Sequence, residues 1–570
     1  MNQVIRRKLD HITNILWGGG VTNPVTYIEQ ISYLIYLKLL DEEESSRELQ
    51  GRLAGRNGKR LFPGQAERFR WSRWRFKSGA ELVELLGGQV FGYMASITRE
   101  EPHIAQYFQD ARLEIREPEV LKQVVDELDS ISFRKLGPDE KGDIFEYLLT
   151  HLGQSALNGQ FRTPRQIRAM MVELVDPDFG DTIFDPACGT SGFLIDALEH
   201  ILAKYSEKSI EVPIYGEEWL LDRYRTKNPG IEKEEQGGKD IELPKGFLEE
   251  TKKEMPNLQT YRKGPGDKVP NWDLLEASLY GVDVSRQMMR IATMNMVLHG
   301  VPKANIKRGN TLSEMSGLTD EDLQRKYKVI LSNPPFAGVL PKDSIRKDLP
   351  TNSKKSELLF LGVIMSALAP GGRCAVVVPE GLLFGSTGAH VEMRKKLIEE
   401  FDLLAVISLP AGVFKPYAGV KTGVLVFRKP QNQQSRNKKR ESVWFYEIQN
   451  DGFDPDRIVG GGRPETPERN NIPDLLTEWK SYKASEFETP PGIEAAIFLE
   501  MGSEEPRCWW ASINLISENN YSLASGKYKP HQSQKAPEEE PNDLIRKSLE
   551  IENKIVSGLQ GLLKDIGGAR

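Results

Sequence analysis

Along the first 150 residues the apolar positions recur at helical spacing. Ile5, Leu9, Ile12 and Leu16 fall three or four residues apart, one stripe of an amphipathic helix, and Gly18-Gly19-Gly20 ends it. Ile28, Ile31, Ile35 and Leu39 make a second stripe that runs up to an acidic stretch at 41–44. Residues 50–75 mix arginines with aromatics (GRLAGRNGKRLF, FRWSRWRF) and predict a loop seated against another surface. The segment KGDIFEYLLTHLGQ, 141–154, predicts a last helix leading out of this region.

From about residue 155 the rhythm changes. DTIFDPA (181–187), SLYGVDV (278–284), YKVILSNPP (327–335), GRCAVVVPEG (372–381) and LLAVISLP (403–410) are short apolar runs that predict strands. Helical segments such as SRQMMRIATMNMVLHG and LLFLGVIMSALAPGG lie between them. Near-continuous apolar strands alternating with helices predict a parallel sheet covered on both faces. TGVLVFRK and SVWFYEI, joined by the polar and basic PQNQQSRNKKRE, predict a terminal hairpin whose connecting loop is mobile. Residues 206–276 form an insertion of roughly 70 residues, rich in charge, Gly and Pro and long for a connection. After 450 the chain reads as loops, then as a final helix with apolar positions Ile545, Leu549, Ile555, Leu559, Leu562 and Ile566. That helix would pack on its own domain or on a partner's helix. No internal repeat is present.

Composition narrows the class without naming it. The 570 residues allow several domains. No apolar run approaches a membrane span, and the first twenty residues lack the apolar core and cleavage site of a signal peptide. Three distant cysteines, Cys188, Cys374 and Cys508, have no disulfide or metal spacing, and no metal site is expected. A reduced, cytoplasmic protein without membrane contact fits these features. With 76 basic and 82 acidic residues the net charge is −6, so any nucleic-acid role needs a local basic surface or a partner.

Chemistry concentrates in three strings. Ser332-Asn333-Pro334-Pro335-Phe336 closes the strand YKVIL, where open α/β sheets bind their ligands. A proline-stiffened strand exit is the plain structural reading. The chemical one starts from an exocyclic amine conjugated to a heteroaromatic ring, a poor nucleophile because its lone pair is delocalised. The Asn333 side-chain oxygen and the Pro334 carbonyl are both acceptors and can take its two N–H protons. Held so, the nitrogen becomes pyramidal and its lone pair points at an electrophile; two prolines keep the acceptors in place. Phe336 offers a face on which a base stacks. Asn333 is no general base, since an amide lacks useful basicity.

The second string, DPACGTSGF from Asp185 to Phe193, joins a strand to a helix. It is neither a P-loop nor G-x-G-x-x-G, so phosphate binding is disfavoured; Asp185 suits a cationic group such as an amino-acid ammonium. The third is Gly281-Val282-Asp283, an acid at a strand end, suited to the two hydroxyls of a ribose or simply to a turn. Thr163-Pro164 reads as a helix start.

Together these strings resemble an amino-group methyltransferase dependent on S-adenosylmethionine. DPACGTSGF is similar to that family's cofactor loop, GVD to its ribose-binding acid, SNPPF to its catalytic motif and FRTP to its additional cofactor motif. The order, cofactor loop before catalytic motif, resembles the gamma group of adenine-N6 DNA methyltransferases. More narrowly, GQFRTPRQIRAMMVELV, MNMVLHG, SNPPFAG, VPEGLLFG, LPAGVFKPYAGVKTGVLVF, VWFYEIQNDGF and ENNYSLASGKYKP resemble the modification subunit of type I restriction-modification systems. The resemblance implies an α/β fold. It has a Rossmann-like S-adenosylmethionine-dependent methyltransferase sheet, an all-helical N-terminal domain and a helical C-terminal tail. The expected boundaries are 1–150, 151–455 with the 206–276 insertion, 456–540 (loop-rich) and 541–570.

The resemblance also implies roles. Asn333, Pro334, Pro335 and Phe336 would be catalytic. Phe161, Thr163, Pro164, Asp185, Ala187, Gly189, Thr190, Ser191, Gly192, Asp283, Val284, Asn310 and Thr311 would hold S-adenosyl-L-methionine, with Val284 against its adenine. Asn310 stands where the family often has an acid. The implied reaction is methyl transfer to N6 of a flipped-out adenine in DNA. Implied partners are a specificity subunit reached through the C-terminal helix and N-terminal domain, a second copy of this chain and a nuclease/translocase subunit. Competing readings are an inactive scaffold, a protein glutamine methyltransferase, and a DNA methyltransferase with its own recognition domain. About 140 residues follow TGVLVF, little room for the last.

Overall fold

The first helix, Gln3–Gly18, buries Leu9, Ile12 and Leu16 completely, and Gly20 at φ +89° turns the chain out of it. The computed structural model describes residues 3–53, 60–133, 136, 138–150, 163–206, 272–336, 338–415, 419–432, 440–458, 463–488, 498–499, 506–532 and 541–567. The expected 206–276 insertion, apart from its last residues, and the loop before SVWFYEI at 433–439 lie outside them.

The second helix, Pro24–Leu53, does not stop at the acidic stretch but runs through it. Asp41 and Glu44 are buried, and their charges are satisfied by the segment expected to be a loop. Arg70 Nε donates to Asp41 Oδ1 (2.6 Å), Ser72 N to Asp41 Oδ2 (2.8 Å) and Leu61 N to Glu44 Oε1 (3.0 Å). Phe62, Phe69, Trp71 and Trp74 then fill the core of the helical domain. The described part of the basic and aromatic run is therefore internal structure: Arg70 neutralises the buried Asp41, and backbone N–H groups at 61–62 satisfy Glu44.

The remaining chain builds a nine-stranded mixed sheet from β1 (Ile183–Asp185), β2 (Leu279–Asp283), β3 (Asn305–Arg308), β4 (Tyr327–Ser332), β5 (Leu368–Pro379), β6 (Asp402–Ser408), β7 (Thr422–Arg428), β8 (Ser442–Glu447) and β12 (Cys508–Ser512). The order is β12-β8-β6-β7-β5-β4-β1-β2-β3. Strands β3 to β5 run parallel, β7 is antiparallel to both β5 and β6, and β12 is antiparallel to β8. Two small sheets flank it, β9 (Asp451–Phe453) with β10 (Glu465–Asn470), and β11 (Phe498–Leu499) with β13 (His531–Gln532).

Three expectations fail here. The sheet is not wholly parallel, and β7 and β8 are not a hairpin: β7 slots between β5 and β6, leaving β8 parallel to β6. Nor is 456–540 a loop region. Its β12 closes the sheet edge, and Trp479, on the helix Ile472–Ala484, enters the sheet core and donates to the Leu174 carbonyl (3.0 Å).

Alternating residues supply both faces of the sheet. Ile183, Val329, Leu331, Ala375 and Val377 face one apolar layer; Phe184, Ile330, Cys374, Val376 and Val378 face the other. The helix Arg286–Leu298 joins sheet to helical domain, with Met289, Ala292 and Met296 in the sheet core and Met288, Ile291, Met294 and Leu298 in the helical one. Within that seam Arg290 Nη1 meets Glu29 Oε1 (2.6 Å). No helix among the described residues is long and apolar enough to cross a membrane.

Candidate active site

The chain runs outward from β1 through β2 to β3, then returns to lay β4 on the other side of β1. Ligands of open α/β sheets bind at such a reversal, beyond the carboxyl ends of the strands. Asp185, Asp283 and Ser332 are the last residues of β1, β2 and β4, and the parallel pairing of these strands brings them to one edge. A cavity of about 490 Å³ opens there.

The loop after β1 is drawn tight around its own carboxylates. Asp185 is buried; its Oδ1 accepts from the Ser332 hydroxyl (2.7 Å) and from Ala187 N (3.0 Å). Gly189, at φ +52°, donates its N–H to Asp283 Oδ2 (3.1 Å), while Asp283 Oδ1 takes Ser285 N (2.7 Å). A side chain at Gly192 would collide with the Arg168 guanidinium, 2.9 Å from a Cβ placed there. Burial pushes the Asp185 carboxyl up to about 7 and raises that of Asp283 as well. Each carboxylate accepts two hydrogen bonds, but neither has a cationic partner among the described residues. The buried Cys188 thiol is raised by burial and is correspondingly inert.

Asn333 follows Ser332 directly. Its Nδ2 donates to Thr163 Oγ1 (2.9 Å), whereas its Oδ1 is shielded from solvent and has no hydrogen-bond partner. Pro334 is buried, Pro335 exposed, and Phe336 half-buried against the sheet core. The segment beyond the motif is fixed by Ser356, whose hydroxyl accepts from Gly338 N (2.8 Å).

The profile of the N-6 DNA methylase family matches residues 137–226 and 268–537, and that of the HsdM N-terminal domain matches 5–128. The chain belongs to the N-6 DNA methylase family. Several of its relatives are methylase subunits of type I restriction enzymes. The EcoEI methylase subunit of Escherichia coli is 28% identical over 97% of this chain and 95% of its own length. The EcoKI subunit of Escherichia coli (strain K12) is 24% identical over 78% of this chain and 72% of its own. Among solved structures, a chain from the assembly of a type I restriction-modification system superposes with TM-score 0.63 at 25% identity, covering 100% of this chain and 98% of that one. A type I methyltransferase subunit from Streptococcus thermophilus shares the fold, at TM-score 0.60 and 17% identity over 92% of this chain and 99% of that one.

In this N-6 DNA methylase the cavity gathers Thr163, Asp185, Ala187, Gly189, Thr190, Gly192, Asp283, Val284, Asn310, Thr311, Asn333, Pro334, Pro335 and Phe336. Val284 sits at the rim, 65% exposed. Asn310 already uses Oδ1 on Leu312 N (3.0 Å), which leaves its Nδ2 as the end presented to a ligand. Two expected cofactor residues do not line the cavity. Pro164 precedes the helix Arg165–Val175, and the fully buried Ser191, at φ +63°, shapes the turn into the helix Gly192–Ser206. Phe161 lies outside the described residues. Arg168, Met288, Phe360 and Phe414 line the cavity unforeseen. Arg168 stands inside GQFRTPRQIRAMMVELV and Phe414 inside LPAGVFKPY, strings already tied to the family, so both were within reach of sequence reasoning. No cluster of three potential metal ligands occurs among the described residues.

Proposed function

We propose that this chain is the methylating subunit of a type I restriction-modification complex, using S-adenosyl-L-methionine to methylate N6 of adenine extruded from DNA. One observation carries the reading: Asn333 Oδ1, a buried acceptor with no partner among the described residues, at the carboxyl edge beside the buried Asp185 and the half-buried Asp283. An unpaired buried acceptor is costly unless a ligand donates to it.

The residues present suit the cofactor. Asp185 takes the ammonium of its methionine part and Asp283 the ribose hydroxyls. Thr163, Gly189, Thr190, Gly192, Asn310 and Thr311 close round it, and Val284 lies against the adenine. When bound it supplies an electrophilic methyl group on a sulfonium. Asn333 Oδ1 and the Pro334 carbonyl accept the two N–H bonds of the target amine, which frees the nitrogen lone pair for attack. Phe336 stacks on the extruded base. Transfer would exchange the cofactor's C–S bond for the new N–C bond, and the proton of the resulting cationic amine would pass to solvent.

Sequence choice belongs to a separate specificity subunit, because the described part of 456–540 supplies the edge strand β12 and the helix Ile472–Ala484 packed on the sheet. The helix Pro541–Gly567 offers its docking face: Leu549, Ile551, Ile555, Val556 and Leu559 are each at least half exposed. A second copy of this chain and a nuclease/translocase subunit complete the assembly. Removing 541–570 should abolish co-purification with the specificity subunit while cofactor binding persists.

The deciding assay is transfer from labelled S-adenosylmethionine to DNA by the complex purified through this chain, followed by digestion to nucleosides and mass analysis. N6-methyladenine is expected. Cofactor binding with label only in protein would favour glutamine-amide methylation, and no cofactor binding would favour the scaffold.

A further inference from the structure

The amide of Asn333 has a donor end and an acceptor end, and only the acceptor end can receive an amine N–H. A half-turn about the last side-chain bond would set an NH₂ group against the target amine, donor against donor. Because Oδ1 has no partner, the described contacts of the oxygen do not prevent that turn. Among the described residues, the only hydrogen bond on the amide runs from Nδ2 to Thr163 Oγ1, 2.9 Å, between residues 170 positions apart.

We infer that Thr163 is a positioning residue for methyl transfer, holding the Asn333 amide so that Oδ1 faces the target amine. The inference rests on the role proposed above for Asn333. Thr163 is equipped for it. It is buried, and its carbonyl accepts from Arg168 Nη1 (3.1 Å). That guanidinium is in turn held by Asp196 through Nε (2.7 Å) and Nη2 (3.1 Å), and it abuts Gly192 of the cofactor loop. On the other side, Pro164 fixes the backbone at φ −55°.

A hydroxyl can donate or accept, so its polarity depends on where its own proton goes. Thr163 lines the same cavity as the cofactor loop. A hydrogen-bond acceptor on the bound cofactor would receive the hydroxyl's hydrogen bond and so keep the Thr163 oxygen as acceptor for Asn333 Nδ2, the direction already present. Hydrogen bonds then point one way, from target amine to Asn333, from Asn333 to Thr163, and from Thr163 to the cofactor. Cofactor occupancy thereby selects the amide orientation that receives the base.

The test compares Thr163→Val, which keeps the shape and removes the hydroxyl, with Thr163→Ser, which keeps the hydroxyl. Single-turnover methylation and cofactor affinity are measured in the assembled complex, the latter by titration with S-adenosylhomocysteine in the absence of DNA. Thr163→Val should slow transfer on the order of 10²-fold, the scale of a displaced reacting group. Its cofactor affinity should fall by less than about tenfold, one neutral hydrogen bond. Thr163→Ser should recover most of the rate. Thr163→Val with Asn333→Ala should be no slower than Asn333→Ala alone, since the two act through one contact.

Normal transfer by Thr163→Val, or failure of Thr163→Ser to recover it, overturns the positioning role. So does a loss in affinity as large as the loss in rate. If Asn333→Ala itself turns over normally, the catalytic reading falls and this inference with it. If Asn333→Ala is inactive while Thr163→Val is not, only the inference falls.

Discussion

The seam between helical domain and sheet and the cavity at the sheet edge both bury polar groups, but they treat them oppositely. In the seam, Glu29 Oε1 receives Arg290 Nη1 (2.6 Å) and the Tyr33 hydroxyl (3.0 Å). Arg290 sends Nε to the Tyr107 carbonyl (3.2 Å) and Nη2 to the Gln109 carbonyl (2.5 Å), so each of its three nitrogens is engaged. At the sheet edge, Asn333 Oδ1 is buried with nothing to accept, and the carboxyl of Asp185 is pushed toward neutrality. A fully paired buried charge holds architecture together; an unpaired one marks where a ligand completes the structure. The contrast holds for these ionic and amide groups, although Tyr107 Oη and Asn295 Oδ1 in the seam also lack a hydrogen-bond partner among the described residues.

The seam should respond most strongly. Glu29→Ala leaves the Arg290 guanidinium buried without its counter-ion, which typically costs about 3–5 kcal/mol. Denaturant unfolding of the isolated chain should show that loss, while the methylation rate of the folded fraction stays near normal. Replacing both partners, Glu29→Leu with Arg290→Met, should recover most of the stability, because the penalty comes from the orphaned charge. An equal loss in single and double variants would show that packing, not charge pairing, holds the domains together.

The cavity should respond in the reverse sense. Asn333→Ala removes an acceptor used only by the target amine, so turnover should fall by about 10²–10³-fold, the scale for deleting one preorganised polar contact. Cofactor affinity should not change, and stability should hold or rise slightly, since a buried unsatisfied oxygen has gone. Rapid-quench methylation and denaturant unfolding of the same preparation read both quantities. A variant that unfolds more readily yet methylates normally would make Asn333 part of the scaffold and erase the contrast.

What the sequence disclosed of this contrast depended on distance along the chain. Local periodicity was enough for the stripe at Leu9, Ile12 and Leu16 and for the strands ending in Asp185, Asp283 and Ser332. Strand β3 escaped because NIKR has one apolar residue and shows no alternation. β7 and β8 resembled a hairpin because their connection hides the insertion of β7 between β5 and β6. The acids at 41–44 looked like a solvated end because their partner Arg70 lies 29 residues beyond Asp41. Within the site, motif spacing named the carboxylates and Asn333, but not which end of the amide faces the cavity. That is decided by Thr163, and no local pattern carries it.

The last and smallest effect concerns protons at Asp185. Burial lifts its carboxyl to about 7, overcoming the Ser332 hydroxyl and the Ala187 N–H, which favour the carboxylate. Between the ordinary carboxylate range and about 7 the folded protein therefore holds a proton that the unfolded chain has released. The contribution of this group to stability is accordingly present at low pH and lost as pH rises through that window. An ammonium needs the carboxylate, so binding it below about 7 must expel the same proton. Affinity for S-adenosylhomocysteine, titrated calorimetrically, should strengthen by up to about tenfold per pH unit toward neutrality and then level off. Proton release should appear as a dependence of the measured heat on the buffer's ionisation enthalpy. Asp185→Asn should bind more weakly at neutral pH and lose both the slope and the buffer dependence. If the slope survives in that variant, the proton belongs to another group, and Asp185 would join Glu29 among the charges that serve the scaffold.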